Sequence, residues 1–245
     1  MSEVKGQKLK RLYLLYQDVP ITSKQLKQLN ISSSLVCKYV ESGWLEKISK
    51  SVYKFPKKQI SFEGIIHVLQ KVLRVNAHPG AKSSLSYQNI IHYLKENNSF
   101  YIYGQRLPKW TFKTDFNFIN IRTHKWNDNK FLYNPGTKPY EFYVARREIA
   151  IIQMIEQIGR YETFNETAKI FELLQDLNPD LVNKGLKIAN KKAKRIFLFF
   201  TEYFNMPWEK DIKNIIKNRN SVIVVDKGGK YIKDYNLIIP EDFGV

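Results

Sequence analysis

The sequence predicts an α+β protein: a small unit of three helices and a β-hairpin, followed by a larger domain of mixed α/β structure. Three observations carry that expectation. The first sixty residues repeat helical apolar spacing three times before the period shortens to two; residues 100–144 alternate like strands; and residues 146–204 return to helical spacing. The chain has 245 residues, 43% of them hydrophobic and 14% aromatic. That is enough apolar material for one large domain or two modest ones, and it excludes a wholly disordered chain.

The elements follow in order. Leu9, Leu12, Tyr13 and Tyr16 fall at i, i+3, i+4 and i+7, the inner face of a helix ending near Asp18-Val-Pro20. Thr22 is placed to N-cap a short second helix with Leu26 and Leu29 inward, and residues 30–32 form a turn. Ser32 or Ser33 caps a third helix with Val36, Tyr39 and Val40 inward, which stops at Ser42-Gly43. Two strand-like runs, residues 44–48 and 52–55, are joined by Ser49-Lys50-Ser51 and ended by Pro56.

Three short helices and a hairpin are the plan of a winged helix-turn-helix, in which a small core holds the third helix outward toward a DNA major groove. The charge supports that direction. The net charge is +17, and residues 1–58 alone carry +8, which favours a polyanionic partner. The outward positions of the third helix are Ser32, Ser33, Ser34 and Lys38. Lys47, Lys50 and Lys54, with Lys57 and Lys58, place charge along the hairpin for phosphate contact. No base-reading arginine occurs in the third helix.

Beyond a boundary set at residues 58/59, residues 60–74 read as a helix with Ile65, Ile66 and Leu69 inward. A helix-rich stretch over 76–98 has Ser84 or Ser86 as its cap ahead of Tyr87, Ile90, Ile91 and Leu94. Residues 100–103, 116–121, 130–133 and 140–144 read as strands. Ile149, Ile152 and Ile155 line a further helix, Thr163 and Glu166 have capping-box spacing, and Asn178-Pro179 starts another helix. Residues 191–204 form the last helix. Residues 221–225 and 235–239 are strand-like, with the Lys227-Gly-Gly turn read as a hairpin.

Several segments together resemble one family. They are Leu35-Val-Cys-Lys-Tyr-Val-Glu-Ser-Gly-Trp-Leu-Glu-Lys-Ile-Ser-Lys-Ser-Val-Tyr53, Ala77-His-Pro-Gly-Ala-Lys-Ser-Ser-Leu85, Arg106-Leu-Pro-Lys-Trp110, Lys194-Arg-Ile-Phe-Leu-Phe-Phe-Thr-Glu-Tyr203 with Pro207-Trp208, and residues 222–240. In order and content they resemble the AbiEi antitoxins of type IV toxin–antitoxin systems, which are linked to abortive phage infection. The resemblance implies an N-terminal winged helix that binds operator DNA and represses the antitoxin–toxin operon. It implies a C-terminal antitoxin domain over residues 59–245 that opposes a nucleotidyltransferase-like toxin without a stable complex. By position, the recognition helix is residues 32–42 and the wing residues 45–55. The wing turn is Ser49-Lys50-Ser51 where family members often carry arginine or glycine, so one positive charge is kept.

Other chemistry is not assignable. His67, His78, His92 and His124 lack metal-ligand spacing, and the single cysteine, Cys37, completes no zinc site and no intrachain disulfide. Gly80-Ala-Lys82-Ser83 lacks the glycine pattern of a phosphate-binding loop. No nucleophile–base pair, cofactor site or enzymatic reaction is expected. No apolar run approaches the roughly 18 residues that cross a bilayer, and with one cysteine and a polar start the chain is expected in the cytoplasm. The densest basic run, Lys187, Lys191, Lys192, Lys194 and Arg195, offers a second nucleic-acid patch. It supports an alternative reading, an RNA- or protein-binding module that blocks the toxin or its RNA substrate. Two copies on symmetric DNA are compatible with the sequence, which does not otherwise fix the oligomeric state.

Overall fold

A computed structural model describes residues 5–90, 99–213 and 221–244. The chain forms two compact units, neither continuous in sequence: residues 1–78, 98–127 and 134–143 make the first, and residues 79–97, 128–133 and 144–245 the second. No described helix is long and apolar enough to cross a membrane.

The first unit opens with α1 (Lys5–Tyr16), β1 (Ile21–Thr22), α2 (Ser23–Gln28), α3 (Ser33–Glu41), β2 (Glu46–Ser49) and β3 (Val52–Lys54). Its helix starts follow from local chemistry. The Thr22 hydroxyl accepts the Gln25 N–H while the Gln25 side chain accepts the Thr22 N–H at 2.8 Å, so both halves of a capping box are made. Ser32 caps α3 by accepting the Leu35 N–H. Leu12, Ile21, Leu26, Ile31, Val36, Tyr39, Leu45 and Phe55 form one apolar cluster, with Leu9, Tyr16, Leu29 and Val40 packed against it. Tyr13, expected inward, is about a third exposed at the edge of that core. The hairpin is wider than expected: β1 pairs antiparallel with β3, giving the sheet order β1-β3-β2. A two-residue strand carries no alternation for the eye to find, so β1 is visible only through its partner.

The expected long helix over 60–74 is α4 (Phe62–His67), capped by Ser61, running into a π-helical turn, Val68–Val72. A sheet of order β4-β5-β6 follows, built from β4 (Ala77–Pro79), β5 (Ser99–Gly104) and β6 (Asn117–Arg122), with β5 and β6 parallel over six residue pairs. Residues 134–143 return to the start of the unit. The Tyr140 hydroxyl lies 2.8 Å from the Ser61 hydroxyl and donates to the Asp18 carboxylate at 3.0 Å, and Lys138 pairs with the same carboxylate at 3.1 Å. Partial burial works against the Asp18 charge, but bonds from Lys138, Ser61 and Tyr140 outweigh it and hold the carboxyl below its ordinary range. Most of the strand expected over 140–144 is therefore irregular chain held by side-chain bonds.

The second unit contains α5 (Lys82–Leu85), β7 (Leu132–Tyr133), β8 (Val144–Ala145), α6 (Arg147–Glu156), α7 (Phe164–Glu172), α8 (Pro179–Ile188) and α9 (Lys191–Tyr203). It closes with β9 (Ile223–Val224), β10 (Lys230–Ile232) and β11 (Leu237–Ile239). Every residue of α6 from Glu148 to Ile155 is buried, because α5, α7, α8 and α9 pack around it. Asn178 and Pro179 start α8 as expected. Thr163 accepts the Glu166 N–H, but the Glu166 carboxylate turns to Lys82 at 2.8 Å, so only half of that capping box forms. Neither Ser84 nor Ser86 caps a helix. Ser84 lies inside α5 and its hydroxyl donates to the Ala145 carbonyl. Ile91, His92 and Leu94 lie outside the described residues. The Lys227-Gly-Gly turn is not a hairpin either. It joins β9 to β10, which sit on opposite edges of β11, β9 parallel and β10 antiparallel to it.

Two outcomes follow from this packing. Gly104 sits at φ +131°, and a Cβ there would come 2.2 Å from the Asn76 carbonyl oxygen. Gly104→Ala is expected to cost about 1–3 kcal/mol, read as a lower denaturation midpoint. His78 is buried beside the Tyr103 ring, and burial pushes its pKa down to about 4. The folded state thus binds its proton later than the unfolded chain, whose histidine titrates at about 6.5. The stability held by a neutral His78 is present above that value and is lost as pH falls toward 4, by about 3 kcal/mol at most. In urea melts from pH 7 to 4.5, His78→Gln is expected to show a shallower loss than the parent chain.

Candidate nucleic-acid interface

The positions expected to meet DNA lie in the first unit. Burial of Val36 and Tyr39 turns the opposite side of α3 to solvent, so Ser33, Ser34 and Lys38 are exposed there, and Ser34 and Lys38 share a face at i, i+4. Ser32 is also exposed, but its hydroxyl is committed to the α3 cap and lies 3.0 Å from that of Ser34. Lys47, on β2, and Lys50, in the turn, are exposed and have no ion-pair partner among the described residues. Ser51 makes this turn in the left-handed region, at φ +66°. Lys54 differs. It lies opposite Glu46 in register and pairs with it at 3.4 Å, which offsets part of its charge.

Lys109 and Lys113 carry a signal that sequence reasoning missed. They are exposed on a 3-10 turn, Lys109–Lys113, that packs against β2, and they add two charges beside the hairpin. Buried Trp110 and Thr111 anchor the turn. No local pattern joins residues 109–113 to residues 46–49, so only the fold brings them together.

The second expected patch is not one surface. Arg195 is 2% exposed, and its guanidinium donates to the carbonyls of Ser221 and Asn236. Lys192 is half-buried with its ammonium on the Ile158 carbonyl, and burial pushes its pKa below the ordinary lysine value against a smaller opposing effect of Glu156. Lys194 reaches back to the Lys187 carbonyl at 3.1 Å. In this run Lys187 and Lys191 remain exposed. The correction has a plain cause: α9 is amphipathic, and consecutive basic residues on a helix point in different directions.

Lys82 is the other notable charged centre. Its ammonium lies 2.6 Å from Glu162 and 2.8 Å from Glu166. Burial lowers its pKa, but the two carboxylates more than offset that and leave it raised. Such a clasped lysine holds α5 to the start of α7. Among the described residues no three histidine, cysteine or carboxylate side chains group as metal ligands would.

Comparison with known proteins agrees with the resemblance noted in the sequence. Residues 6–96 match the family model described as "Transcriptional regulator, AbiEi antitoxin N-terminal domain". Residues 98–240 match the one described as "Transcriptional regulator, AbiEi antitoxin, Type IV TA system". No curated protein matches the chain. Among solved structures, the fold is similar to that of the RV2827C protein from Mycobacterium tuberculosis, with a TM-score of 0.66 over 97% of this chain and 92% of that one. The identity is 11%, so that likeness speaks to the fold alone.

The buried and exposed members of the basic run are expected to separate in stability. Arg195→Leu removes the buried bonds to the Ser221 and Asn236 carbonyls and is expected to cost about 1–3 kcal/mol. Lys187→Gln and Lys191→Gln are expected to stay within about 0.5 kcal/mol of the parent chain in the same urea melts.

Proposed function

The chain belongs to the AbiEi antitoxin family of transcriptional regulators in type IV toxin–antitoxin systems, and on that premise we propose that it represses its own operon through operator DNA. The observation that carries this reading is the exposed Ser33–Ser34–Lys38 side of α3 in the same unit as Lys47 and Lys50. The three helices and the three-stranded sheet are read as a winged helix. Its third helix enters the major groove, and its wing lysines, joined by Lys109 and Lys113, meet the phosphates. Serines and a lysine, without an arginine fork, make recognition depend more on phosphate position and groove shape than on bidentate base contacts.

The second unit is assigned the antitoxin role, opposing a nucleotidyltransferase-like toxin as a non-enzymatic partner. Two copies on a symmetric operator fit this scheme. The runner-up, a module that blocks the toxin or its RNA substrate through residues 187–195, loses support because Arg195 is buried and Lys192 is half-buried on the Ile158 carbonyl.

The test is a titration against the DNA upstream of the chain's own gene, with scrambled DNA as competitor, at two salt concentrations. The upstream DNA is expected to bind in preference, and binding is expected to weaken as salt rises. Lys38→Glu, Lys47→Glu and Lys50→Glu combined are expected to lower affinity at least tenfold and to flatten the log–log salt dependence by about 0.9 for each phosphate no longer neutralised. Neutralisation of the toxin is expected to survive the triple change. Unchanged DNA affinity would move the DNA surface elsewhere on the molecule.

A further inference from the structure

A groove of about 650 Å³ opens in the first unit between α1 and the end of α3, within the range of about 300–1,000 Å³ typical of ligand clefts. Tyr13, Trp44, Phe55 and Pro56 line it, and Lys10 and Lys58 stand at its rim. No carboxylate is among its described lining residues. The Tyr13 and Phe55 rings meet edge to face at 5.1 Å, and the Lys58 ammonium sits 5.6 Å from the Tyr13 ring centre.

Trp44 is the unusual member. The chain has four tryptophans, and Trp110, Trp126 and Trp208 are 6% exposed or less, whereas Trp44 is 57% exposed. It is held in place by its backbone: the N–H groups of Trp44 and Leu45 both donate to the Tyr39 carbonyl, at 2.8 and 3.0 Å. Gly43, at φ +72°, turns the chain out of α3 immediately before it. A flat aromatic face is thus presented to water on a fixed backbone, beside two cations.

We propose that this groove binds an unstacked base of single-stranded RNA, the base lying against Trp44 and its flanking phosphates meeting Lys10 and Lys58. Aromatic faces receive bases of any sequence because every base has a π-face, and a lysine rim supplies the attraction for the backbone. The groove demands a base that is not already stacked. Duplex DNA withholds its bases, whereas RNA loops and ends splay theirs outward. An acidic peptide would satisfy the lysines but would not require the flat face of Trp44. Of the residues named for phosphate contact with the operator only Lys58 lines this groove, whereas Ser33, Ser34, Lys38, Lys47, Lys50, Lys109 and Lys113 do not, so a change at Trp44 separates the proposal from that reading.

The experiment titrates the full chain with a short end-labelled oligouridylate, read by anisotropy, and follows the exposure of Trp44 by acrylamide quenching of fluorescence. The oligouridylate is expected to bind and to shield Trp44 from acrylamide. Trp44→Ala is expected to weaken it by about tenfold, the usual loss for one stacked base, while Trp44→Phe keeps most of the affinity. Lys10→Gln with Lys58→Gln is expected to reduce the salt dependence of binding. Affinity for the duplex upstream of the gene is expected to stay within about twofold in Trp44→Ala, because one exposed ring is changed and every lysine of the operator surface keeps its phosphate. The proposal is overturned if Trp44→Ala binds the oligouridylate as tightly as the parent chain. It is overturned equally if polyglutamate shields Trp44 as well as RNA does, or if raising the protein concentration alone shields it, which would mean a second copy covers the groove.

Discussion

The apolar cluster around Leu12, Leu26, Val36, Tyr39 and Leu45 is the constraint on which the first unit depends. The helices are short, at 12, 6 and 9 residues, and helices of that length do not persist alone in water. Only shared burial keeps them, and burial fixes their rotation. Once Val36 and Tyr39 point inward, the 3.6-residue period places Ser34 and Lys38 outward without any further instruction. The polar side of α3 is thus a by-product of packing, and the same packing leaves Tyr13 and Trp44 at the margin, where the core ends and solvent begins.

The strength of the sequence signals followed the range of the interactions behind them. Thr22, Ser32 and Asn178 act on N–H groups two or three residues away, so these helix starts were readable from spacing alone. The apolar period of α6 and α9 was readable for the same reason. What failed to show were elements defined by distant partners. β1 exists because β3 lies beside it, and β4 because β5 does. The Lys227-Gly-Gly turn looks like a hairpin in any local window, yet β11 inserts between the strands it joins. The Ser84 hydroxyl was free to cap in principle, but its partner is a carbonyl 61 residues away.

Charge was the least transparent feature. A run of basic residues in sequence says nothing of which are solvated. On α9 one guanidinium became the hydrogen-bond donor for two strand-region carbonyls, and a neighbouring ammonium was drawn half inside. The hairpin shows the converse. There the useful charges come partly from Lys109 and Lys113, some sixty residues further along, and one nearby lysine, Lys54, is tied to Glu46. The electrostatic character of the first unit therefore belongs to its fold and is only loosely indicated by the tally of its first 58 residues.

The tie from Asp18 and Ser61 to Lys138 and Tyr140 bears on how such a chain can change over evolutionary time. Two neighbouring loops near the beginning of the protein share partners encoded more than two hundred nucleotides downstream. Exchanging only the opening portion of the gene with that of a distant relative would break the pairing of position 18 with the ammonium of Lys138 and the hydroxyl of Tyr140. Recombination at that junction is therefore disfavoured, and the segment from α1 to β3 is expected to be inherited together with residues 134–143 and not to move as a portable module.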